Sequence, residues 1–151
     1  MLNTGKGFVN VSATAGPVFS SSLTGRGAAF GDLNNDGQID VVIGSLDDVP
    51  VLLRNNGTKN HWLGLSLVGA KSNRSGIGSR ITVSDSTGRK QIFDANTSGS
   101  YLSANDPRII VGLGAAASVR KVQVSWPSSN MQTIIEPQLD RYLVINEPSA
   151  R

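Results

Sequence analysis

Apolar and polar positions alternate in short runs along almost the whole chain, and clusters of Gly, Asn, Asp and Ser break the runs every eight to twelve residues or so. That period of two predicts strands. The candidates are GFVNVSA (7–13), GAAFGD (27–32), IDVVIGS (39–45), PVLLRN (50–55), WLGLSLVG (62–69), SRITVSD (79–85), RKQIFDAN (89–96), RIIVGLG (108–114), VRKVQVSW (119–126), MQTIIE (131–136) and RYLVINE (141–147). No stretch repeats at helical spacing, so the expected class is all-β. Turn chemistry marks hairpins at SDSTGR (84–89) and PSSN (127–130). The polar run RNNGTKN (54–60) predicts a boundary, giving residues 1–57 as a small meander with an acidic loop and 58–151 as a second β unit.

Composition narrows the chemistry. The 151 residues suffice for a buried core, and the lack of cysteine removes disulfide frameworks, thiolate zinc sites and cysteine nucleophiles. A net charge of +3 is spread over cations placed singly along the sequence, a pattern that argues against nucleic acid as partner. No apolar run is long enough for a membrane span, and the first residues lack a basic stretch followed by an apolar one.

The acids are concentrated where the cations are not. Asp32, Asp36, Asp40, Asp47 and Asp48 lie in one span free of Lys and Arg, although the chain holds only 11 acidic residues. Counted from Asp32, oxygen-bearing side chains fall at positions one (Asp32), three (Asn34), five (Asp36) and nine (Asp40). Gly37 supplies the sharp turn and Gln38 a backbone carbonyl. Such alternating hard oxygens suit calcium, which takes six to eight of them at flexible geometry. An EF-hand is excluded, since position twelve is Ile43 and the flanks are strands. The competing reading is an Asx-rich turn that closes a hairpin without any ion.

These residues carry a resemblance. GRGAAFGDLNNDGQIDVVIGS (25–45) is similar to one FG-GAP or VCBS repeat, the blade unit of integrin-type β-propellers, with Asn34 where that family's loop has an aspartate. Downstream, Asn73, Arg74, Gly76, Gly78, Arg80, Tyr101, Leu102, Asp106, Gly112, Gly114, Trp126 and Pro127 resemble the pattern of the ASPIC/UnbV domain, found at the C-termini of such repeat proteins. The resemblance implies a β-sandwich-like module preceded by one blade-like meander, a bound calcium ion, and an extracellular or cell-surface setting. It names no ligand and no enzymatic activity.

Other candidates are weaker. Asn73, Arg74 and Arg80 could offer an anion-binding edge. Tyr101 and Asp106 sit in or beside the long polar loop after Asp94 and could contact a ligand. GLGAAA (112–117) imitates a dinucleotide fingerprint but precedes a strand, so a glycine turn is expected. His61, the sole histidine, reads as a packing residue, and Trp62 and Trp126 as core residues more than as a sugar platform.

The leading expectation is a calcium-binding, non-enzymatic binding or adhesion module presenting loops to a protein or glycan. A structural module that caps a repeat array is the alternative. A polysaccharide hydrolase or lyase using Asp47 with Asp48, or Asp94 with Asp106, is the third. A lone meander with an open strand edge also predicts a homo-oligomer, unless the second unit covers that edge.

Overall fold

The computed structural model describes residues 1–57 and 59–149. Twelve strands follow in chain order: β1 (Leu2–Asn3), β2 (Phe8–Val9), β3 (Gly25–Gly31), β4 (Asp40–Ser45), β5 (Val51–Leu53), β6 (His61–Val68), β7 (Arg80–Asp85), β8 (Lys90–Asp94), β9 (Ile109–Gly114), β10 (Val119–Ser125), β11 (Met131–Ile135) and β12 (Tyr142–Asn146). The all-β expectation holds, with one departure. Pro17–Ser20 forms a single turn of 3-10 helix, where the φ of proline suits the first turn. The strand expected over 7–13 shrinks to Phe8–Val9, because beyond a hairpin with Leu2–Asn3 it has no further pairing partner.

Two sheets enclose one core. β11, β10, β7 and β8 form the first in that order, and β12, β6 and β9 the second. Each strand sends alternate residues inward, as the period of two demands. β6 buries Leu63, Leu65 and Leu67; β7 buries Ile81 and Val83; β9 buries Val111 and Leu113; β10 buries Val122 and Val124. Ile145 of β12 and Trp126 join them in a single cluster, with the indole N–H of Trp126 donating to Gln132 Oε1 at 3.2 Å. The arrangement is therefore a β-sandwich. β12 runs parallel to β6, pairing Tyr142 with Gly64 and Asn146 with Val68. The ring of Tyr142 lies where a Cβ on Gly64 would be, so only glycine fits there.

The third sheet is the meander β3, β4, β5. Its outer strand β3 does not present an open edge to solvent. Ser100 Oγ accepts from Ala28 N–H at 3.1 Å and Asn105 Oδ1 from Phe30 N–H at 3.0 Å, while Asp106 N–H donates to Phe30 O at 2.9 Å. Residues 100–106 thus stand in for a fourth strand with side-chain oxygens. For β3 the argument for a second copy of the chain falls away, because the edge is satisfied within one molecule.

Candidate functional site

The loop between β3 and β4 is held by its own aspartates. Asp32, only 1% exposed, accepts the N–H of Asp36 at 3.1 Å on Oδ1 and that of Gly37 at 2.8 Å on Oδ2. Asp40 takes Leu33 N–H at 3.2 Å and, across the meander, Asn55 N–H at 2.8 Å. Asp36 is exposed and accepts from Gln38 N–H at 2.9 Å and from the Asn34 amide at 2.7 Å. The chain turns through left-handed backbone at Asn35 (φ 60°) and Gly37 (φ 81°). Asparagine tolerates that region and glycine is unstrained in it. Gly37 is doubly constrained, since a Cβ there would meet the ring of Trp62. Gln38 lies half-buried against Gly57.

Three residues of the sandwich reach into this loop. The hydroxyl of Tyr142, on β12, donates to Asp32 Oδ2 at 2.6 Å, 110 residues away in sequence. Arg108 donates to the Asp32 carbonyl at 2.7 Å and to Asn35 Oδ1 at 2.6 Å, and Asp106 holds its guanidinium with bonds of 2.6–3.0 Å. The same guanidinium lies 4.5 Å from the centre of the Tyr142 ring, and Trp62 meets that ring edge-on at 5.4 Å. Burial pushes the Asp32 carboxyl up. The hydrogen bonds from Tyr142, Gly37, Asp36 and Asn35 outweigh it and hold the group below the usual aspartate range. The phenol of Tyr142 is raised by burial and by the Asp32 carboxylate that accepts its proton. A charged, buried aspartate with a donor on every side is the keystone of the joint between meander and sandwich.

The oxygen chemistry of this loop suits a hard cation, because Asp32, Asn34, Asp36 and Asp40 offer the donors calcium takes and Gly37 curls the chain around them. Among the described residues no three Asp, Glu or His groups stand grouped to hold an ion. The aspartates are drawn instead to backbone N–H groups, as an Asx-rich turn would have them. Beside the loop, Phe30, Asp32, Asn35, Asp40, Asn105 and Arg108 help line an open cleft of about 590 Å³.

The remaining candidates are placed apart. Arg80 is engaged by Asp94 at 2.8 Å on the four-stranded sheet, and Asp106 by Arg108 at the joint. The two carboxylates proposed as an acid/base pair are therefore each committed to a different arginine. Asp47 and Asp48 occupy a turn, not a strand, with Asp47 at φ 57°. Asn73 Oδ1 accepts Ser75 N–H at 2.9 Å and so fixes a turn, and the Arg74 side chain is exposed. Tyr101 is 68% exposed at the tip of the long loop. Gly112–Ala117 is the glycine turn between β9 and β10.

Two features escaped the sequence. His61 Nδ1 lies 2.7 Å from Asp140 Oδ2, and Asp140 also accepts Trp62 N–H at 3.1 Å. Its partner is 79 residues away, so no local spacing announces it. Glu147, buried behind β12, accepts the N–H groups of Ala70, Lys71 and Ser72 at 2.7–2.8 Å and the hydroxyls of Ser72 and Ser128. Burial raises its carboxyl, yet these donors, led by the Ser128 hydroxyl, bring it down to about 2. An acid directly after an apolar strand, in LVINEP, was the available signal.

Compared with known proteins, the chain matches the family model described as ASPIC and UnbV over residues 69–151. No curated protein matches it. The match begins one residue after β6, whose Leu63, Leu65 and Leu67 nevertheless belong to the same core. No helix of the described residues is long and apolar enough to cross a membrane.

Proposed function

The chain belongs to the ASPIC and UnbV family, matched over more than half its length, and from that premise we propose that it is a calcium-dependent, non-enzymatic binding module. In this reading the acidic loop takes the ion through Asp32, Asn34, Asp36, Asp40 and the Gln38 carbonyl. The ion's contribution is charge neutralisation, which relieves the repulsion among three carboxylates in one tight turn. The observation that supports it is the position of Asp32: a charged carboxylate inside the loop whose other contacts are the Tyr142 hydroxyl and the backbone the loop must curl. Ordering the loop orders the joint. The loops beside it, with the open cleft and exposed Tyr101, then stand in fixed relation to the sandwich for a protein or glycan ligand.

Calorimetry tests this directly. Calcium should bind the wild-type protein and bind Asp36→Ala far more weakly, since Asp36 is the exposed acid of the set. Melting should rise with calcium, by mass action worth about 2.7 kcal/mol at a hundredfold excess over the dissociation constant. An unchanged isotherm in Asp36→Ala, or identical melts in calcium and chelator, would leave the loop as a turn only.

The second reading, a module that caps a repeat array, draws on the apolar surface of the N-terminal part, where Phe8, Phe19, Val49 and Leu52 are all exposed. The chain would then be found bound to further blade-like units and would bind no separate ligand.

A further inference from the structure

The cations that are scattered in sequence are gathered by strand register. Lys90 on β8 is the cross-strand partner of Ser84 on β7, and Ser84 is the partner of Lys121 on β10. All three point away from the core, since Ile81 and Val83 of β7 point into it. Strands about 4.8 Å apart put the Cα atoms of Lys90 and Lys121 roughly 10 Å from each other, so two flexible stems can bring both ammonium groups over Ser84. Arg89 directly precedes Lys90. Arg120 directly precedes Lys121 and donates to the Ser86 carbonyl at 3.0 Å. Among the described residues no carboxylate pairs with any of these four cations, the three ion pairs lying elsewhere. The nearby Asp85 is turned inward and held by Thr87 and Arg89 N–H.

Ser84 supplies the second, independent observation. It is only 8% exposed, and its hydroxyl is one of two buried side-chain polar groups of the described residues with no hydrogen-bond partner. A buried hydroxyl without a partner between two uncompensated lysines is costly unless something fills the gap. What fits is an oxygen-rich anion that takes a hydrogen bond from Ser84 Oγ and a charge from each lysine.

We propose that Lys90, Ser84 and Lys121 form a binding site for a sulfate ester carried on a polysaccharide. The sulfate sits above Ser84, and the sugar chain runs along the outer face of the sheet. There the next cross-strand row, Ile92, Thr82, Gln123 and Thr133, offers neutral hydrogen-bonding groups to hydroxyls. Arg89 and Arg120 stand at the end of the row for a neighbouring anionic group. The face is a flat sheet with no projecting helix or ribbon to enter a nucleic-acid groove, which favours the sugar over a duplex. This site is distinct from the acidic loop and does not depend on calcium.

The test is binding of a heparin hexasaccharide, followed by calorimetry over a range of salt. Lys90→Gln with Lys121→Gln should weaken binding more than tenfold and flatten the slope of log affinity against log salt by roughly two, the loss of two released counterions. Ser84→Ala, which leaves every charge in place, should weaken it about fivefold by removing one charge-assisted hydrogen bond. Lys90→Arg with Lys121→Arg should retain binding, and Lys6→Gln with Lys59→Gln, an equal change of charge elsewhere, should leave it within twofold of wild type. Inorganic sulfate should compete for the wild type at millimolar concentration and not for the double glutamine variant. Three results overturn the proposal: equal losses in the two double glutamine variants, no effect of Ser84→Ala, or a DNA duplex bound as tightly through the same residues.

Discussion

Replacing Tyr142 with Phe removes one oxygen and leaves the rest of the joint standing. The ring keeps its edge-on contact with Trp62 and its place under Arg108, so packing is nearly unchanged. What is lost is a 2.6 Å bond from a hydroxyl to the carboxylate of a residue that solvent scarcely reaches. Asp32 Oδ2 retains the Gly37 N–H at 2.8 Å and has no water to replace the phenol. A hydrogen bond to a charged group contributes about 1.5–3 kcal/mol. For a protein of this size that corresponds to a fall in Tm of about 3–12 °C. Urea unfolding at pH 7 should show the loss as a lower midpoint with an unchanged slope. The pH dependence carries a second signature. The folded pKa of Asp32 lies below the usual 3.8, so its stabilisation is complete above that value and disappears as pH falls through the folded pKa. Without the phenol the folded pKa moves up, and the variant should show a smaller difference in stability between pH 5 and pH 3 than the wild type. Midpoints that agree within about 0.3 kcal/mol would show that backbone N–H groups alone sustain Asp32 and that Tyr142 is not part of the joint.

Gly37→Ala places a Cβ against the Trp62 ring at a φ of 81°, so the meander should come away from the sandwich; limited proteolysis should then cut between residues 54 and 60 in the variant before it cuts the wild type. Glu147→Gln tests the cradle behind β12. With a folded pKa of about 2 against an ordinary 4.5, Glu147 adds stability above pH 4.5 that is lost as pH falls toward 2, and the glutamine variant should lack that acid-sensitive component in melts across this window. Ser100→Ala combined with Asn105→Ala strips two acceptors from the β3 edge, and the variant should associate with concentration in light scattering while the wild type stays near 15.8 kDa.

Strands were legible because their signal is local. The alternation in SRITVSD and VRKVQVSW places Ile81, Val83, Val122 and Val124 inward without any knowledge of the partner strand, and the structure buries all four. The acidic loop was legible for the same reason, its oxygens lying within nine residues of one another. What the loop leans on was not. Tyr142 and Arg108 reach Asp32 from 110 and 76 residues away, and nothing in RYLVINE distinguishes a tyrosine that caps a carboxylate from one that fills a core. The local Asp106–Arg108 spacing was the nearest thing to a signal for the joint. Charge shows the same limit. Lys90 and Lys121 are 31 residues apart in sequence and two strands apart in the sheet, so a linear scan counts them as isolated.

The parallel pairing of β12 with β6 also sets an order of assembly. Made from the N-terminus, the chain completes the whole meander and the acidic loop long before residue 142 exists. The hydroxyl that completes the bonding of Asp32 belongs to that late strand, as does the strand that closes the free side of β6. Until β12 arrives, the early meander carries a charged aspartate short of one donor and cannot take its final seat. The part of the molecule synthesised first is therefore secured last, and the barrier to native structure is dominated by contacts of very long sequence separation. A newly made chain passes through a stage in which the meander is present but undocked, held to the rest only by the linker that precedes β6.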